Sequence, residues 1–218
     1  RKYSMRKFIL LSVALFIAAY AFGQKTSNEK AINSNPFKKY WFFQVQGGTS
    51  LTYNERNKGA DLGDIMAPHA AISFGRHLSP IVGLRLQFSG WESRCNGYRY
   101  WINETKKYKR NYLQGSFDCM VNFSNVFIRY THDKTINVYV LGGLTYIRVF
   151  EGKDIDMYHF NCFGVRGGLQ LDYRLNSAFS INLEATSNFI IEDGHYGGNG
   201  GPPNDRNLNI MAGLTIRL

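Results

Sequence analysis

At 218 residues, with 14 Tyr, 16 Phe and 22 Gly against 5 Pro, the chain suits a single domain rich in strand formers and is too apolar for disorder. Its formal charge is +10, of which Arg1, Lys2, Arg6 and Lys7 supply four before the mature region begins. A mean hydropathy of −0.29 excludes a bundle of membrane helices but not a transmembrane barrel, whose polar lumen cancels its lipid face in any average.

Residues 1–24 read as a secretory signal: a basic start at Met5-Arg6-Lys7, an apolar run from Phe8 to Ala19, and small residues two apart at Ala21 and Gly23. The apolar run is shorter than the roughly 20 residues that a helical span needs. Residues 1–4 precede the plausible initiator Met5 and read as an upstream extension. No cysteine lies near the cleavage region, so a lipoprotein is not expected. Residues 25–39 are polar and aperiodic, and read as a flexible mature N-terminus; 40–218 reads as the folded domain.

From Tyr40 onward, apolar and polar residues alternate in eight stretches, and a period of two means a strand with unlike faces. The first stretch, about 41–52, sets Trp41, Phe43 and Val45 against Phe42, Gln44 and Gln46. The second, about 68–77, sets Ala70, Ile72 and Phe74 against His69 and Ser73, and ends in a tight turn at Leu78-Ser79-Pro80. The third, about 82–91, sets Leu84, Leu86 and Phe88 against Arg85, Gln87, Ser89 and Trp91; a long loop rich in Lys, Arg and Tyr is expected over 92–110. The fourth, about 111–123, sets Leu113, Phe117 and Phe123 against Gln114, Asp118 and Met120. In the fifth, about 136–149, Val138, Val140 and Leu144 form the outward set, although Tyr139 and Leu141 blur the two faces.

The sixth, about 159–174, sets Val165, Leu169 and Leu171 against Arg166, Gln170 and Asp172. The seventh, about 178–190, sets Ile181, Leu183 and Phe189 against Asn182, Glu184 and Asn188. After a Gly- and Pro-rich loop over 194–205, the eighth runs from Leu208 to Leu218, with Ile210, Leu214 and Ile216 opposite Asn209, Thr215 and Arg217. Termini fray unless tied down, so a last strand this apolar is expected to pair with the first. Strands of about 10 residues can cross a bilayer when tilted. Connections after the odd-numbered strands are long and those after the second and sixth are short, with the fourth intermediate, which is the asymmetry of barrels with long outer loops and short periplasmic turns. The fold expected is all-β, an eight-stranded antiparallel up-and-down transmembrane β-barrel.

The stretches Trp41–Gly48, Val82–Leu86, Asn137–Gly143 and the last strand make the chain resemble the OmpA-like transmembrane β-barrel family of small eight-stranded outer-membrane proteins. The resemblance covers about 40–218 and implies a monomeric barrel in the outer membrane of a Gram-negative bacterium, inserted by the barrel-assembly machinery. Such barrels commonly end in an aromatic residue, where Leu218 stands here. Many members add a C-terminal peptidoglycan-binding domain; the expectation here is a barrel without it, so that role is not carried over.

The inward faces hold Arg85, Asp118, Arg166, Asp172, Glu184 and Arg217, three of each sign. An unpaired charge in a narrow lumen is costly and a mutually paired set is tolerable. The set therefore reads either as a structural polar core or as a network that switches to pass ions, with Arg85, Asp118, Arg166 and Glu184 mid-strand and Asp172 and Arg217 nearer the periplasmic rim. In the expected 92–110 loop, Arg94, Arg99, Lys106, Lys107, Lys109 and Arg110 outnumber Glu92 and Glu104. At an outer rim they would face lipopolysaccharide phosphates, with a solvated loop or a protein or glycan partner as the other readings; no nucleic-acid motif is present.

Catalysis is not expected. His77-Leu78-Ser79 has the His-x-Ser spacing of lipid A deacylase barrels but falls at the expected periplasmic turn. Cys95, Cys119 and Cys162 are odd in number and lack metal spacing, so no metal or cofactor is expected. The function expected is a non-enzymatic envelope-integrity barrel, with a narrow pore and a soluble lipocalin-like binder as alternatives.

Overall fold

The computed structural model describes residues 37–53, 63, 66–99, 104–127, 134–150, 160–191 and 206–218. The expected signal segment, most of the polar N-terminus and the loops at 151–159 and 192–205 lie outside them. Eight strands form: β1 Tyr40–Tyr53, β2 Met66–His77, β3 Val82–Arg99, β4 Glu104–Asn122, β5 Ile136–Val149, β6 Phe160–Arg174, β7 Phe179–Ile191 and β8 Arg206–Arg217. Each pairs antiparallel with its sequence neighbour, and β8 returns to β1 to close the barrel. The closing seam runs from Phe42 opposite Arg217 to Tyr53 opposite Arg206. Beyond it, the amide of Leu218 donates to the Trp41 carbonyl at 2.8 Å. The apolar last strand is thus tied down along its length.

The alternation read from sequence becomes an inside and an outside. Gln44, Ser73, Gln87, Gln114, Gln170, Asn182 and Asn209 are buried, while their chain neighbours Val45, Ile72, Leu86, Leu113, Leu169, Ile181 and Ile210 are exposed. A water-soluble protein does not carry an apolar girdle around its whole circumference; here polar groups fill the centre and hydrocarbon covers the wall. The wall is a lipid face, which removes the soluble-binder alternative. Tyr139 and Leu141 turn inward on β5, and Val140 and Leu144 outward, which settles the blurred faces of that strand.

Four features depart from the sequence reading. The stretch 92–110 is not a loop: β3 and β4 stay in register until Arg99 faces Glu104, leaving only 100–103 between them. Cations mask the alternation there, but an extended hairpin needs only ladder hydrogen bonds, not an apolar face. This hairpin outgrows its neighbours, since pairing with β2 ends where His69 faces Trp91 and pairing with β5 ends where Val149 faces Tyr112. Second, Trp91, expected inward, is instead 61% exposed. Backbone φ values of 154° at Gly90 and 150° at Trp91 break the alternation at that point.

Third, Phe123 does not end a strand but begins a one-turn helix, α1, over Phe123–Phe127. Asn122 caps it, its Oδ1 accepting from the Asn125 amide at 3.1 Å. Asn125 in turn donates to the Pro80 carbonyl at 2.8 Å, and Lys134 Nζ donates to the Ser124 carbonyl at 3.0 Å. Partial burial of Lys134 against these groups draws its ammonium below the usual lysine range. Fourth, β2 begins at Met66, two residues before the expected start. The short turns behave as read. Ser79 Oγ accepts from the Ile81 and Val82 amides, and Asn176 Oδ1 accepts from those of Ala178 and Phe179.

Candidate functional site

Four charged side chains from four strands meet at the centre of the lumen. Arg85 on β3 is the cross-strand partner of Asp118 on β4, so register alone brings them together. Arg85 Nε and Nη2 donate to Asp118 Oδ2 at 3.0 and 2.7 Å. Across the lumen, Nη1 donates to Glu184 Oε2 at 2.6 Å and Nη2 to Glu184 Oε1 at 3.2 Å. Arg166 on β6 completes the ring, its Nη2 donating to Glu184 Oε1 at 3.0 Å and its Nε standing 3.4 Å from Asp118 Oδ1. Two guanidinium groups and two carboxylates therefore alternate, and the cluster is neutral. All four side chains show no exposure.

A collar of glutamines takes up further donors and acceptors of the ring, while Arg166 Nε and Asp118 Oδ1 meet only each other, at ion-pair distance. Arg85 Nη1 also donates to Gln44 Oε1 and Gln170 Oε1, at 3.1 and 2.9 Å. Arg166 Nη1 donates to Gln87 Oε1 at 2.5 Å. Gln46 Nε2 donates to Glu184 Oε2 at 3.1 Å, and Gln87 Nε2 donates to Gln46 Oε1 at 3.1 Å. Charges this deep are tolerable only when paired and hydrogen-bonded, and the collar adds hydrogen bonds to Arg85, Arg166 and Glu184. These glutamines are legible in the sequence as inward polar residues, but their role is not, because nothing in the order of the chain says which rows meet across a lumen.

Gly143 lets the cluster form. A Cβ there would run into the Phe117 carbonyl and come within 2.5 Å of Asp118 Oδ1. Glycine at that row lets β5 lie close against the carboxylate.

The other two expected lumen charges do not belong to the ring of four. Asp172 is buried and accepts from Gln170 Nε2 at 2.6 Å rather than joining the ring. Arg217 lies at the short-turn end with its guanidinium 5.2 Å from the Tyr40 ring centre. Asp172 is thus linked to the ring through Gln170, whose Oε1 accepts from Arg85, whereas Arg217 lies apart from it. Below the charges, Phe42, Met120, Tyr139 and Leu141 form an apolar cluster, and His77 packs against the rings of Tyr40, Phe42 and Tyr139 at 4.9, 5.1 and 5.4 Å. Above them, Tyr112, Ile147 and Cys162 form a second cluster. The Tyr112 hydroxyl shares a 2.9 Å hydrogen bond with His69 Nδ1 and donates to Ser50 Oγ, which donates to Asn207 Oδ1. Side chains thus fill the cross-section in layers, with the charged ring between two apolar clusters.

The six cations of the expected loop lie on β3 and β4 instead. Arg94 stands opposite Lys109, and its Nε pairs with Glu92 Oε1 at 2.5 Å. Lys106, Lys107 and Arg110 face Gly97, Asn96 and Ser93 in register, and Arg99 ends β3. His77 and Ser79 do not form a catalytic arrangement: His77 points into the aromatic cluster and Ser79 holds the turn. No cluster of metal-binding side chains occurs among the described residues.

No family model matches the chain. It is 24% identical over 165 residues to outer membrane protein 41 of Porphyromonas gingivalis, covering 76% of this chain and 41% of that protein. Against outer membrane protein 40 of the same organism it is 23% identical over 200 residues, covering 89% of this chain and 51% of that protein. The chain thus spans about half, or less, of the length of the curated relatives it matches. Among solved structures, a major outer membrane protein of Thermus thermophilus superposes with a TM-score of 0.56 at 12% identity, covering 84% of this chain and all of the other. That likeness carries the fold: a closed barrel with a lipid-facing wall.

Proposed function

Taking as premise an eight-stranded barrel of a Gram-negative outer membrane, we propose that it is a non-enzymatic, OmpA-like envelope protein whose work is mechanical and surface-based rather than conductive. The observation that carries this reading is the central ring of Arg85, Asp118, Arg166 and Glu184, buried and neutral within its glutamine collar. Among the described residues these side chains occupy the middle of the lumen, which supports a closed barrel, and they tie β3, β4, β6 and β7 together across it. The chain works as a monomer, inserted by the barrel-assembly machinery through β8, and meets lipopolysaccharide with its long-loop end.

Deleting the gene and plating the strain on detergent and on a large hydrophilic antibiotic tests this. Sensitisation that the full chain reverses is the expected result. Unchanged permeability together with loss of uptake of a small solute would contradict the proposal and favour a narrow pore.

A further inference from the structure

The connection between β4 and β5 is built unlike the other turns at its end of the barrel. Residues 78–81 and 175–178 suffice to join β2 to β3 and β6 to β7, whereas 123–135 separates β4 from β5 and opens with α1. One side of α1 is engaged by the barrel. Ser124 Oγ accepts from the Val138 amide at 2.8 Å, Asn125 donates to the Pro80 carbonyl at 2.8 Å, and Lys134 Nζ donates to Asn125 Oδ1 at 3.2 Å. These bonds fix how the helical turn is rotated about its axis. The other side is apolar: Phe123, Val126 and Phe127 are exposed, Phe127 by 72%, and the rings of Phe123 and Phe127 stand 4.6 Å apart. Spacings of three and four residues put all three side chains on one face.

Continuity with the wall says what covers that face. Phe123 extends the outward row of β4, on which Leu113 and Phe117 are exposed. Ten residues lead from Leu113 to Phe123. At about 3.3 Å per residue and a tilt of about 40°, they span about 25 Å of height, which is the whole apolar band of such a barrel. Asn111 and Lys109 follow Leu113 on the long-loop side, so Leu113 marks one edge of the band and Phe123 falls at the other. The Phe127 ring, held against Phe123, falls there too. Interfacial helices with one polar and one apolar face bury the apolar face about 5–10 Å into the boundary between headgroups and acyl chains. One turn of helix would not hold to a bilayer alone, but the barrel already places α1 at that boundary. We propose that α1 is an interfacial foot, with Phe123, Val126 and Phe127 inserted among the phospholipid acyl chains of the periplasmic leaflet. This rests on the outer-membrane orientation adopted above, short turns towards the periplasm.

The test uses the full barrel refolded into vesicles of phosphatidylethanolamine and phosphatidylglycerol, part of the lipid brominated at a chosen acyl position. Trp41, Trp91 and Trp101 are replaced by Phe, and a single reporter is introduced by Phe127→Trp, by Phe117→Trp on the wall, or by Ser177→Trp on the exposed β6–β7 turn. The Phe127→Trp reporter is expected about 5–10 Å beneath the headgroup boundary, quenched most by shallow bromines. The Phe117→Trp reporter should be quenched most by deep bromines, and the Ser177→Trp reporter should be open to aqueous acrylamide. Folding is checked by heat-modifiable migration; should Phe127→Trp not fold, Val126→Trp is read in its place. A reporter at 127 as open to acrylamide as the one at 177, and untouched by bromine, would overturn the foot and leave that face to a periplasmic protein. Equal bromine quenching at 127 and 177 would also overturn it, because the signal would then belong to tryptophan rather than to α1. Absence of quenching at 117 would overturn the transmembrane barrel itself and the foot with it. None of these outcomes touches the closed lumen, which conductance and envelope permeability test separately.

Discussion

Glu184→Gln is the substitution that most sharply tests the lumen. Shape is preserved, but one of two negative charges is lost, leaving Arg85 and Arg166 against Asp118 alone. Hydrogen bonding fails as well. Glu184 Oε2 accepts from Arg85 Nη1 and Gln46 Nε2, and Oε1 from Arg85 Nη2 and Arg166 Nη2. Whichever oxygen becomes the amide nitrogen then points a donor at two donors. Removing one partner of a buried pair destabilises by about 3–5 kcal/mol, because the surviving charge stays buried without compensation. Arg166→Gln on its own removes a positive charge and is unfavourable for the mirror reason. Together the two restore neutrality, with Arg85 balanced by Asp118. The double variant should therefore be more stable than the sum of the singles by about 2 kcal/mol. Urea unfolding of the barrel in lipid vesicles, followed by tryptophan fluorescence, measures all three. A Glu184→Gln variant within about 0.5 kcal/mol of wild type, or strict additivity, would refute the charge-neutral ring.

Gly143→Val places a side chain against the Phe117 carbonyl and Asp118; a loss of about 1–3 kcal/mol in the same unfolding assay is expected, and an unchanged midpoint would count against the close approach. Asn122→Ala removes the cap of α1 and the hydrogen bond to Asn137, and should cost about 1–2 kcal/mol. With Trp41→Phe and Trp101→Phe leaving Trp91 as the sole tryptophan, bilayer lipids brominated near the headgroup should quench its emission; no quenching would place that ring elsewhere.

What the sequence discloses follows the physics of each feature. Strands and their faces are legible because lipid outside and side chains inside impose a period of two, as with Ser180, Asn182 and Glu184 against Ile181 and Leu183. Mid-strand charges are legible as a set because burial forces pairing, and the Arg85–Asp118 pair follows from one hairpin's register. The meeting of Glu184 with Arg85 across the lumen depends on tilt and stagger around the whole barrel, which no local pattern carries. Trp91 escapes the alternation because the break at Gly90 is a backbone event with no side-chain signature. The hairpin above it reads as a loop because, outside the bilayer, ladder pairing holds without an apolar face. Phe123 reads as one more outward residue because the cap that turns it into a helix, Asn122, also fits the polar row of β4.

If the neutral ring of ion pairs seals the transmembrane barrel, the protein passes no steady current. Single-channel recording of the refolded protein in a planar bilayer tests it most directly. A quiet baseline is expected for the wild type, with brief openings when Glu184→Gln leaves the ring unbalanced. Sustained conductance steps in the wild type would contradict it.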